Sequence, residues 1–71
     1  MSGLKKRSFA LSGHRTSVAL EPEFWFVLDA EAVKSRISLS GLVASIDAAR
    51  GARPLASALR LFALAAVQAQ R

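Results

Sequence analysis

Between His14 and Leu20 the sequence HRTSVAL alternates, and at Glu21 the alternation stops. Successive side chains of an extended chain point to opposite sides, so Thr16, Val18 and Leu20 share one face of a strand while Arg15, Ser17 and Ala19 share the other. A lone strand leaves its backbone donors and acceptors without a ladder, and it is stable only beside another strand. From Glu21 onward the apolar spacing is helical, so the partner strand must come from the residues before His14 or from a second copy of the chain.

Three helices follow. Glu21 and Glu23 set negative charge at the positive end of a helix dipole, and Pro22 is tolerated in a first turn. Phe24, Val27, Leu28 and Ala32 then form a stripe that ends near Lys34 and Arg36, which predicts a first helix over 21–35. Trp25 and Phe26 sit beside that stripe; either one of them meets a partner surface or both widen the core face. Ser38 is an N-cap for a second helix over 39–50, whose buried face is Leu39, Leu42, Val43 and Ile46. Asp47 pairs with Arg50 within that helix, and Gly51 stops it. Pro54 opens a third helix over 54–70, where Leu55, Leu59, Phe62 and Ala66 are flanked by Ala58, Leu61, Ala63 and Val67. A belt this wide calls for burial on two sides, as in an oligomer.

Size reinforces the expectation of an oligomer. A chain of 71 residues without cysteine and with a single histidine has neither disulfides nor a metal cluster to supplement a small core, and 52% of it is hydrophobic. The net charge of +5 is unevenly distributed: Lys5, Lys6, Arg7 and Arg15 all precede the first acidic residue. This basic N-terminal stretch suits phosphate, an anionic membrane surface or an acidic protein, unless it is only a solubilising tail. The apolar run Leu59–Val67 contains Arg60 and is far shorter than the roughly 20 residues that span a bilayer. No stretch reads as a signal peptide, so a cytoplasmic location is expected.

Residues 1–13 read as a basic arm with a second possibility inside it. Ser12-Gly13 makes a turn, and a hairpin through it sets Phe9 and Leu11 on the face of Thr16 and Val18, with Lys6, Ser8 and Ala10 beside Arg15 and Ser17. Periodicity alone leaves three alternatives for residues 6–11: pairing within the chain, pairing across a dimer, or ordering only on a bound phosphate-bearing partner.

The order of strand, helix, Ser-containing turn and helix in HRTSVALEPEFW and ISLSGLVASI resembles the ribbon-helix-helix family of DNA-binding proteins, the Arc and MetJ type. The resemblance covers His14 to about Arg50. It looks in particular like a bacterial branch with a Gly-His-Arg-Thr-Ser strand and an additional C-terminal helix, which PLASALRLF fits. It implies a mainly α fold with one short β-strand per subunit, in which strand 14–20 forms an intermolecular antiparallel two-stranded ribbon. The core would then be 14–51, with 54–70 as the third helix. It further implies an obligate homodimer that inserts the ribbon into the major groove of double-stranded DNA. By position, Arg15, Ser17 and Ala19 would read bases, and Ser38, Leu39 and Ser40 at the start of the second helix would hold a phosphate.

Residue chemistry is consistent with that assignment. Arginine can grip guanine with two hydrogen bonds, serine can serve either purine edge, and an alanine methyl can touch a thymine methyl. Ala19 offers no hydrogen bond, so direct readout rests on Arg15 and Ser17, while Lys5, Lys6 and Arg7 would add phosphate contacts without sequence information. No cofactor or metal is called for, and with one histidine, no cysteine and carboxylates limited to the first helix and Asp47, the chain does not read as an enzyme. The expected function is that of a homodimeric transcriptional regulator. The alternative is an antitoxin-like or adaptor dimer that binds a protein partner through the third helix or the basic arm, with DNA contact secondary or absent; no membrane partner is expected, a membrane-surface role being the weakest of the three readings.

Overall fold

The strand at His14–Leu20 finds its partner within the same chain. The computed structural model describes residues 3–70. Its elements in order are β1 (Lys5–Leu11), β2 (His14–Leu20), α1 (Pro22–Lys34), α2 (Leu39–Ala49) and α3 (Leu55–Ala69). The expectation of one strand per chain is therefore corrected to two, paired antiparallel with Ser8 opposite Ser17 and Leu11 opposite His14. Only half of β1 advertises itself in the sequence. Phe9 and Leu11 are apolar on the inward face, but the same face begins with Lys5 and Arg7.

The turn between the strands is two residues long, with φ of 51° at Ser12 and 80° at Gly13. Positive φ at both positions is the type I′ geometry, whose twist matches that of the flanking strands, and Gly13 adopts it without a Cβ penalty. In such a turn the His14 N–H faces β1. By alternation Arg15, Ser17 and Ala19 then direct their backbone N–H and C=O groups away from β1, toward the free edge of β2.

Phe9, Leu11, Val18 and Leu20 are buried on the inner side of this sheet, where they meet the helices. The central positions of α1 are Trp25, Leu28 and Ala32, with Phe24 and Val27 at the margin. Of the two aromatics left undecided by spacing, Trp25 is 2% exposed and Phe26 is 75% exposed. Burial of the indole is accommodated because its Nε1–H donates to the Lys5 carbonyl at 2.8 Å. At its far end α1 closes in a Schellman arrangement: Ile37 N–H donates to Ala32 O and Arg36 N–H to Val33 O, both at 3.0 Å. Arg36 holds the left-handed position at φ 60°.

Ser38 caps α2, its hydroxyl accepting from Gly41 N–H at 2.9 Å, and Leu42, Val43 and Ile46 are buried. Arg50 donates to Asp47 at 2.7 Å and to the Arg53 carbonyl at 2.7 Å, which ties the end of α2 to the following turn. That turn needs Gly51 at φ 64°. Pro54 occupies the N-cap position and Leu55 begins α3.

Helix α3 packs on α1, α2 and β2 and buries Ala58, Leu59 and Ala63. Its apolar belt is thus half used, because Leu61, Leu64 and Val67 remain 45–49% exposed. Arg60 bridges back to Glu21 at 3.0 Å and lies over the Phe24 ring. Among the described residues no polar side chain is buried, so the core is apolar throughout.

Candidate nucleic-acid interface

The outer face of the sheet carries Lys6, Ser8 and Ala10 from β1 and Arg15, Ser17 and Ala19 from β2, in facing pairs. All are exposed except Ala19, which is half-buried. The Oγ atoms of Ser8 and Ser17 lie 2.9 Å apart. One hydroxyl donates to the other, so the pair retains a single outward O–H donor together with free acceptor lone pairs. Among the described residues, neither Lys6 nor Arg15 is in ion-pair range of a carboxylate. The face therefore presents uncompensated positive charge beside small hydroxyl and methyl groups.

The other basic residues of β1 have different surroundings. Alternation turns Lys5 and Arg7 to the helix side. The Arg7 guanidinium stands 4.9 Å from the centre of the Trp25 ring, and its Nη1 is 3.1 and 3.4 Å from the two carboxylate oxygens of Asp29. These residues, with Lys5, Lys6, Pro22 and Phe26, line an open pocket of about 400 Å³ beside the free edge of β1. The basic stretch expected to act as one arm is thus divided by the pleat, with Lys6 alone on the outer face.

Ser38, Leu39 and Ser40 form the first turn of α2, an element packed against β1. The Ser38 hydroxyl is already engaged by Gly41 N–H, so what remains there is the set of N–H groups that no helical carbonyl reaches. Ser8 and Ala10 also stand on the outer face, and sequence reasoning does not name them as contact residues. Their signal in the sequence was the two-residue turn Ser12-Gly13, which places each of them opposite a residue of β2.

A family model described as a ribbon-helix-helix domain matches residues 4–67. The chain belongs to the ribbon-helix-helix family. The match runs from the residue before β1 through β2, α1 and α2 to nearly the end of α3. Ribbon-helix-helix proteins are typically DNA-binding transcription regulators or antitoxins, and the fold is not typically enzymatic. No curated protein and no solved structure matches this ribbon-helix-helix chain. No helix among its described residues is long and apolar enough to cross a membrane.

Proposed function

We propose that this ribbon-helix-helix protein is a homodimeric, sequence-specific DNA-binding regulator. The observation that carries the reading is the free edge of β2, which exposes the backbone of Arg15, Ser17 and Ala19 beneath an uncompensated basic face. Two such edges pair antiparallel about a two-fold axis through Ser17, so that Arg15 of each subunit lies opposite Ala19 of the other. The two strands at the centre then enter a major groove, which accommodates a two-stranded ribbon. Arg15 is the principal base reader, Ser17 reads or positions, and Ala19 contributes apolar contact. The free N–H groups of Ser38, Leu39 and Ser40 suit a backbone phosphate at the positive end of the α2 dipole.

Selection of binding sites from random duplexes with the full chain tests the reading. Enrichment of a two-fold symmetric site, lost on Arg15→Ala, supports it; recovery of no consensus rejects sequence-specific binding.

The exposure of Leu61, Leu64 and Val67 on α3 favours a second reading, an antitoxin-like or adaptor dimer that binds another protein there. A defined protein that copurifies after nuclease treatment, and is lost on Leu64→Glu, would select this reading over DNA regulation.

A further inference from the structure

We infer that β1 is a phosphate-contacting flank of the DNA-binding sheet, with Lys6 as its contact residue and Lys5 and Arg7 excluded from that role. The inference rests on the proposed pairing of two β2 edges, which makes a four-stranded sheet in the order β1, β2, then the partner's β2 and β1.

Sheet spacing and groove width decide what each strand can touch. Neighbouring strands lie about 4.8 Å apart, so the central two fall about 2.4 Å from the two-fold axis and the outer two about 7 Å from it. A major groove is about 12 Å wide, about 6 Å to either side of its centre. Only the β2 pair fits over the base edges. The β1 strands come to lie over the two sugar-phosphate walls.

What β1 presents to those walls is read from its register. Lys6 stands opposite Ala19 and Ser8 opposite Ser17 on the outer face, and among the described residues no carboxylate lies within ion-pair range of Lys6. Lys5 and Arg7 stand on the inner face, and the Arg7 charge is taken up by Asp29. The Ser8–Ser17 hydrogen bond joins the outer strand to the reading strand.

The test is a salt titration of binding between the full chain and its selected duplex, followed by fluorescence anisotropy. Each lost phosphate contact lowers the slope of log K against log salt by about 0.9. Lys6→Gln is expected to lower it by about 1.8 per dimer, through one contact per subunit, while preserving the order of preference among duplexes. Lys5→Gln is expected to leave the slope unchanged. An unchanged slope in Lys6→Gln, or equal losses in the two variants, overturns the inference while wild-type binding to a selected site keeps the DNA-binding proposal intact. Failure of the wild-type protein to bind any duplex overturns both.

Discussion

Arg7 and Asp29 are joined across 22 positions of sequence, with Nη1 and Oδ1 3.1 Å apart and the guanidinium resting on the face of Trp25. This contact fastens β1 to α1 on the side of the sheet away from the proposed reading face. Both ends are about half exposed, so the ion pair by itself contributes little and the stacking on Trp25 adds to it. Arg7→Gln should lower unfolding stability by about 0.5–1.5 kcal/mol in a urea titration. The salt slope of DNA binding should stay at its wild-type value, and a drop would show that Arg7 meets phosphate after all.

Two residues three apart in β2 should fail in different ways. Arg15→Ala removes an exposed side chain and should weaken binding to the selected duplex by about 1–3 kcal/mol with little change in stability. Val18, 4% exposed, packs into the core. Val18→Ala should reduce stability by about 1–3 kcal/mol and affect DNA binding only as folding is lost. Paired denaturation and binding curves separate the two; unfolding by Arg15→Ala would contradict the assigned faces.

Assembly can be separated from folding at Ser17. The intrachain hairpin satisfies the β1-facing side of β2, so a second subunit is needed only at the opposite edge of that strand. The Ser17 N–H points to the free edge, where proline is tolerated in a strand that has no further neighbour. Ser17→Pro should therefore retain helical circular dichroism and sediment as a monomer, with binding to duplex DNA lost. A variant that still forms dimers would place the interface elsewhere, with the exposed side of α3 as the surface to probe.

Acid stability should respond to the link between Arg60 and Glu21. The hydrogen bond from Arg60 holds the Glu21 carboxyl below its ordinary value of 4.5, helped by a backbone hydrogen bond at Glu21. A carboxylate with a depressed pKa in the folded state adds stability above its unfolded pKa and loses that contribution as pH falls through the folded value. Arg60→Ala should thus raise the Glu21 pKa in a carbon-detected NMR titration, and the fall in stability below about pH 4.5 should be shallower in the variant than in wild type. An unmoved titration would show that the contact is broken in solution.

Several parts of the fold were legible because they depend on near neighbours. The two faces of β2 follow from strict alternation over seven residues. Ser38 as a cap, Gly51 as a stop and the Asp47–Arg50 pair are all settled within one or two helical turns. Distant packing governed the remainder. Whether β2 pairs with β1 or only with another copy depends on a type I′ turn competing with association, and the sequence before His14 was compatible with either. Trp25 rather than Phe26 lies in the core because the side of α1 that it shares with Leu28 and Ala32 is the one turned to Phe9 of β1, where the Lys5 carbonyl accepts from the indole.

The outer face is the clearest division between the two levels. Alternation by itself determined that Arg15 and Ser17 share a side, because the pleat of an extended chain is a local property. That Lys6 and Ser8 join them, while Arg7 is drawn inward to Trp25 and Asp29, was decided only when β1 and α1 came together. Adjacent basic residues look alike along a chain, and only the register of a sheet with a buried side distinguishes the charge left to solvent from the one held against the core.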